Sequence, residues 1–311
     1  MAAMLREVIA QVLFIRGSGL LEAARPRRAL AYLTLAARLA SGNAGYFSAA
    51  ALAASKAGDT DAAVRHCERA LQLQPQLEPA HDLLFNLFLH GEPSLRVLER
   101  IHRHLKPRTY VEIGIETGRS LQLAAPETLA LGVDPQPQLR IVPGPNVRVF
   151  AEPSDEFFAR RDVRAEFGGL PVDLALIDGL HHFEYALRDF MNLERLCTPQ
   201  STILLDDCFP HDRRTAERER FNGFWSGDVW KVVVLLKKYR PDLSVHTVAA
   251  PPTGMCVVRN LDPNSRFIAD NLQRLVDEFT KLDYGYLEKQ RGKKLNLFPN
   301  DWERIRSLLG T

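Results

Sequence analysis

The feature that most constrains the fold is a change of hydrophobic period at Gly91-Glu92-Pro93. Before it, residues 1 to about 92 are rich in Ala, Leu and Arg, apolar residues recur at helical spacing, and Gly and Pro are confined to turns. After it, short β-rich runs alternate with helical stretches, the pattern of an α/β sheet with crossover connections. The pattern predicts strands at Tyr110–Ile113, Leu129–Val133, Val147–Phe150, Val172–Ile177, Thr202–Leu205, Ser244–Val248 and Met255–Val258, seven in one sheet. Only the Pro251-Pro252-Thr253-Gly254 turn separates the last two, which therefore read as an antiparallel hairpin at the sheet edge. From about residue 263 the chain returns to helix, with Phe267, Leu272, Leu275, Val276 and Phe279 as an apolar stripe. The expected organisation is an all-α domain over 1–92, an α/β domain over 93–262 and a helical extension over 263–311.

Within the first part the best-defined unit runs from Ala44 to Leu77. Gly58 marks a turn, Ala63 and Ala70 are small enough for close helix packing, and Pro75 ends the second helix. This unit resembles a tetratricopeptide repeat, a helix pair of about 34 residues. A shift of one repeat towards the N-terminus places Ala29 and Ala36 at the small-residue positions, with Ser41 replacing the proline. A shift the other way places His81, Leu84 and Phe88 on one face of a capping helix. An Ala-rich bundle without repeat geometry is the alternative.

Charge and cysteine usage exclude several classes. Forty Lys and Arg against thirty-eight Asp and Glu leave a net charge of +2, too little for a general field towards nucleic acid or an anionic membrane. Cys67, Cys197, Cys208 and Cys256 are scattered without a C-x-x-C pair, as expected of reduced thiols in the cytoplasm. The apolar stretch Val8 to Ile15 is too short and lacks the cleavage pattern of a signal peptide. No run reaches the roughly 18 apolar residues of a membrane span.

At the end of the first predicted strand, Val111-Glu112-Ile113-Gly114-Ile115-Glu116-Thr117-Gly118 places an acid and two glycines before a helix. Such a turn lets a ligand approach the backbone. A dinucleotide fingerprint would need glycine where Glu116 stands, and a glutamate there opposes a pyrophosphate, which disfavours NAD. The segment resembles motif I of the class I S-adenosylmethionine-dependent methyltransferases, E/D-x-G-x-x-x-G, which is followed by an acid after the second strand. Asp134 in Leu131-Gly132-Val133-Asp134-Pro135 fills that place. The resemblance implies a Rossmann-like sheet, with Glu112, Gly114 and Gly118 around the methionine part of S-adenosylmethionine and Asp134 accepting from the ribose hydroxyls. Carboxylates suit both an ammonium group and vicinal hydroxyls. Ser154, after the third strand, stands where it can face the adenine.

Two further strand ends are acidic: Ile177-Asp178-Gly179-Leu180-His181-His182 and Leu205-Asp206-Asp207-Cys208. In an open α/β sheet these ends line one crevice, and three convergent carboxylates invite a hard cation. The arrangement resembles the cation-dependent catechol O-methyltransferases and, more closely, the Methyltransferase-24 group and the macrolide-sugar O-methyltransferases. That resemblance implies a divalent cation, Mg²⁺ by preference, on Asp178, Asp206 and Asp207, with Asp178 also near the cofactor. It further implies a general base at His181, with His182 as the competing candidate. Downstream, Trp225 and Trp230 in Phe224-Trp225-Ser226-Gly227-Asp228-Val229-Trp230-Lys231 offer stacking surfaces for an acceptor or else pack the core. Gly227-Asp228 reads as a turn and helix N-cap.

The function implied is metal-assisted O-methylation of a sugar or secondary-metabolite hydroxyl on a small-molecule or glycan acceptor. The helical domain would serve a partner protein or self-association. A non-catalytic, cofactor-binding interaction protein and an NAD-dependent sugar enzyme are the rival readings.

Overall fold

The computed structural model describes residues 2–220, 225–288 and 290–310. Two compact units divide the chain, 1–88 and 89–311.

The first unit is all helix: α1 (Ala2–Glu22), α2 (Pro26–Leu39), α3 (Ala44–Lys56), α4 (Thr60–Leu73) and α5 (Glu78–Phe88). Helices α2 and α4 start at Pro26 and Thr60, and α3 and α5 at Ala44 and Glu78, a shift of 34 residues in each case. Local chemistry sets the starts. The Asn43 side chain accepts from the Tyr46 N–H at 3.2 Å, and that of Asp59 from the Ala62 N–H at 2.9 Å. Each satisfies an otherwise orphaned donor of its helix. Gly58 takes φ +80° at the turn between α3 and α4. Ala29, Ala36, Ala63 and Ala70 are fully buried, so the helices approach with little side-chain bulk between them.

The second unit opens with α6 (Ser94–Leu105) and builds a sheet from β1 (Thr109–Ile113), β2 (Leu129–Val133), β3 (Val147–Phe150), β4 (Leu174–Ile177), β5 (Thr202–Leu205), β6 (Ser244–Val248), β7 (Met255–Arg259) and β8 (Leu297–Phe298). Between and after them lie α7 (Ser154–Arg160), α8 (Val163–Glu166), α9 (Phe183–Glu194), α10 (Trp230–Tyr239), α11 (Phe267–Phe279), α12 (Gly285–Glu288), α13 (Arg291–Lys294) and α14 (Trp302–Leu309). Strand order is β3-β2-β1-β4-β5-β7-β6-β8. The first five strands are parallel, β7 runs antiparallel between β5 and β6, and β8 is parallel to β6. Every residue of β1, β4 and β5 is buried, which explains why apolar residues predominate in them, Thr109, Glu112 and Thr202 excepted: helices cover both faces of a parallel sheet.

The sheet has eight strands rather than the expected seven. Two residues are too short for β8 to carry any period in sequence, yet the strand closes the β6 edge that the β6–β7 hairpin would otherwise expose. The 263–311 segment is therefore part of the same sheet, not helix alone.

The order reverses between β1 and β4, and register carries the site from there. Ile113 pairs with Val133 and with Ile177, and Ile177 with Leu205. The next residue of each strand still bonds its neighbour: Gly114 N–H to Val133 O at 2.8 Å, Asp178 N–H to Ile113 O at 2.8 Å, Asp206 N–H to Ile177 O at 3.0 Å. Glycine loop and strand-end acids thus leave the sheet at one level, at the crevice where doubly wound sheets bind ligands.

Candidate active site

A cleft of about 1470 Å³ opens over this switch point. Gly114 to Thr117, Asp134, Ser154, Asp178, His181, Asp206 and Asp207 line it. Three of these, Glu116, His181 and Asp207, hold left-handed backbone at φ +40°, +56° and +58°, a conformation that costs non-glycine residues energy and is concentrated at functional sites. The first unit's own hollow, about 980 Å³ near Arg6 and Asn43, gathers no comparable set.

Asp134 locks the glycine loop. One carboxylate oxygen accepts from the Ile115 and Glu116 N–H groups at 3.0 and 2.9 Å, the other from the Gln136 N–H at 2.8 Å. Asp134 remains on the cleft wall, and its two oxygens have acceptor capacity beyond those three bonds. Gly114, at φ +84°, passes so close to the β4 end that a Cβ there would stand 1.9 Å from the Asp178 carbonyl oxygen.

Glu112 lies beneath the loop rather than on the cleft wall. It is wholly buried, accepts from the Tyr110 hydroxyl at 2.7 Å, and is bonded by the Ser120 hydroxyl. Ser120, not Glu112, reaches the cleft. Burial pushes the Glu112 carboxyl up to about 8, against the pull of the Ser120 and Tyr110 bonds. The folded protein therefore holds this proton more tightly than the unfolded chain. The associated stability is full below the ordinary carboxylate range and is lost as pH rises through about 8. Glu112→Gln should consequently melt with a shallower pH dependence than wild type between about pH 5 and about pH 9. Parallel melting curves would discard this account of the buried acid.

Three groups close on one another at the β4 and β5 ends. His181 Nε2 stands 3.0 Å from Asp207 Oδ2 and 3.3 Å from Asp178 Oδ1. Burial of the imidazole lowers its pKa, but the Asp207 and Asp178 carboxylates outweigh that and push it up to about 11. Burial raises Asp178 to about 6, opposed by its bond with His181. Asp206 is raised well above the usual range by burial and then by Asp178 and Asp207. Its Oδ1 is buried without a hydrogen-bond partner.

One ligand atom each from Asp178, His181 and Asp207 lies within 4.8 Å of the others, a spacing that suits a metal ion. This set differs from the expected Asp178, Asp206 and Asp207 in taking His181 for Asp206. The reason is local. Left-handed backbone at 181 and 207 turns those two side chains together, an arrangement no spacing in the sequence announces.

His182 stands apart at the N-cap of α9, its Nε2 3.0 Å from the Arg218 carbonyl oxygen. Among the two tryptophans, Trp225 stacks on His181 with ring centroids 4.8 Å apart at 12°, while its indole N–H donates to Glu217 O at 2.6 Å. Trp230 is buried in the core against Tyr286. Phe224 lies outside the described residues. Asp228 is indeed a cap, though for a distant helix: it accepts from the Phe183 N–H of α9 at 2.7 Å and pairs with Lys231 and Arg218, each at 3.0 Å. Its own N–H donates to His181 O at 3.1 Å, so the 227–228 turn holds the His181 loop from behind. Ser154 lines the cleft beside Asp189, a buried acid that sequence reasoning missed.

Fold and site together define a Rossmann-like, doubly wound domain in the second unit, with a glycine loop and strand-end acids at its switch point. Residues 111–208 match the Methyltransferase-24 family model, described as a methyltransferase domain, and this span carries the glycine loop and all the strand-end acids. No curated relative matches the chain. Solved structures with a similar fold include cofactor-bound Rv0187 from MTB, 16% identical over 66% of this chain and 97% of that one, with TM-score 0.43. The O-methyltransferase TomG of Streptomyces achromogenes, involved in tomaymycin synthesis and solved with SAM, is 13% identical over 64% and 89%, TM-score 0.41. An O-methyltransferase of Bacillus cereus in complex with SAH is 13% identical over 60% and 93%, TM-score 0.40. Among the described residues no helix is long and apolar enough to cross a membrane.

Proposed function

We propose that the protein methylates a hydroxyl group of a small-molecule or glycan acceptor, a sugar or secondary metabolite by preference, with help from a divalent cation such as Mg²⁺. The observation that carries this reading is the meeting of Asp178, His181 and Asp207 in the same cleft as the motif I loop. The donor set fits a hard cation: carboxylate oxygens, one imidazole nitrogen and the unpartnered Asp206 Oδ1. Asp178, Asp207 and His181 or Asp206 would hold it, and when bound it lowers the pKa of a hydroxyl and fixes its direction.

The chain's own residues do the rest. Gly114 to Gly118 and Asp134 hold the cofactor, Asp134 through the ribose hydroxyls and Ser154 near the adenine. The acceptor oxygen attacks the sulfonium methyl in line, the S–CH₃ bond breaks as the O–CH₃ bond forms, and S-adenosylhomocysteine leaves as a neutral thioether. The Asp207 and Asp178 carboxylates hold His181 protonated near neutral pH, so it takes the hydroxyl proton only in the fraction that has first lost its own, and turnover should rise with pH. Trp225 covers one face of the imidazole and keeps it directed at the carboxylates. Most of the rate gain is assigned to alignment of donor and acceptor.

The helical domain is read as tetratricopeptide-like, with the sheet domain beginning after the Gly91–Pro93 break.

Isothermal titration with S-adenosylmethionine tests the cofactor half. Asp134→Ala should weaken binding by about 1–3 kcal/mol, the scale of hydrogen bonds to a charged group. Unchanged affinity in a folded variant would remove Asp134 from the site.

A further inference from the structure

Helix α1 carries two apolar seams, and only one is covered. On the inner side Ala10 and Gly17 are buried and Leu13, Phe14, Leu20 and Leu21 half-buried. Gly17 lies directly under Leu33 of α2. On the outer side Leu5, Val8, Val12 and Ile15 follow one another at steps of three, four and three residues, and a further step of four reaches Gly19. This is the a/d spacing of a two-helix seam. All five positions are exposed, the four apolar ones by 54–62%, and open space lies over Gly19. Met4 and Ile9, also exposed, flank the seam. A helix apolar on both sides needs cover on both.

Size and chemistry narrow the occupant. The six outer side chains present on the order of 600 Å² of apolar surface, at the top of the range for the largest patch of an isolated monomer and approaching the roughly 800 Å² that each partner buries in a standard interface. No charged residue interrupts the seam; Arg6, Glu7 and Arg16 lie beside it. An uncharged heptad seam is complementary to another of the same spacing, and an isologous pair needs only the one patch. We infer that α1 is a dimerisation helix, which packs through Leu5, Val8, Val12 and Ile15 against α1 of a second copy of this chain.

Sedimentation velocity of the full chain at about 1–50 µM, a range that brackets ordinary dimer affinities, tests the inference. Wild type should sediment with twice the chain mass. Val12→Glu places a glutamate from each copy in the seam and should raise the dissociation constant about 100-fold or more, because charge is desolvated without a partner. Glutamate is a good helix former at a site exposed in the monomer, so the fold is retained and circular dichroism should be unchanged. Val142→Glu, at a 94% exposed position in the second unit, should leave the dimer intact. A monomeric wild type, which would assign the seam to another protein, overturns the inference. So does a Val12→Glu dimer of wild-type affinity.

Discussion

Substitution of His181 by alanine is expected to lower methyl-transfer turnover by about 10²–10⁴-fold, the usual contribution of a positioned acid–base group. Cofactor affinity should remain within about twofold of wild type, since none of the roles assigned to the cofactor loop passes through the imidazole. The ring is oriented by three independent contacts: Asp207, Asp178 and the face of Trp225. That degree of constraint is what a proton acceptor aimed at one atom requires. EDTA should likewise abolish turnover, and Mg²⁺ restore it. Cation and imidazole act on one hydroxyl, so their losses should not multiply: chelating the His181→Ala enzyme should cost less than chelating wild type. Single-turnover rates with excess enzyme separate chemistry from product release. Full activity in chelated buffer would remove the metal from the reaction. A fully active His181→Ala enzyme would leave alignment as the main source of rate, since His182 lies away at the α9 cap.

Much of this architecture is legible in the sequence because parallel central strands, buried on both faces, are mostly apolar. Leu129–Val133, Val147–Phe150, Thr202–Leu205 and Ser244–Val248 fall on the expected residues, and the others differ by two residues or fewer at an end. The strand-end acids are legible for the same reason, since register fixes what leaves the sheet beside what. What the sequence withholds is set by backbone conformation and by contacts between distant segments. Nothing in Glu112 foretells that Tyr110 and Ser120 will enclose it below the cleft. Nor does period distinguish the tryptophan that stacks on His181 from the one that fills the core, because one closely precedes and the other opens the same apolar helix. The α1 seam is hidden differently. Two interleaved apolar faces look like one continuously apolar helix until the structure shows which is covered.

The closest approach in the site is also the least tolerant of change, and Gly114→Ala should lose both stability and cofactor binding. A Cβ would stand 1.9 Å from Asp178 O and 2.5 Å from Asp178 C, backbone atoms that no side-chain rotation can move. Residue 114 also sits at φ +84°, where a non-glycine residue is strained by about 1–2 kcal/mol. Forced repacking adds about 1–3 kcal/mol, so a loss of roughly 2–5 kcal/mol is expected. The strain has only two outlets. Either the glycine loop rises and breaks the Ile115 and Glu116 bonds to Asp134, or the β4 end retreats and carries Asp178 and His181 away from Asp207. Each spoils the cofactor site or the acid cluster, so affinity for S-adenosylmethionine should fall more than about 100-fold, beyond what one lost hydrogen bond explains. Gly144→Ala is the control: its Cβ would meet nothing nearer than Val147 Cγ2 at 3.7 Å, and its stability should stay within about 0.5 kcal/mol of wild type. Calorimetric melting and titration of the two variants decide the matter, and a Gly114→Ala protein that binds like wild type would show that the loop does not press on the β4 end as described.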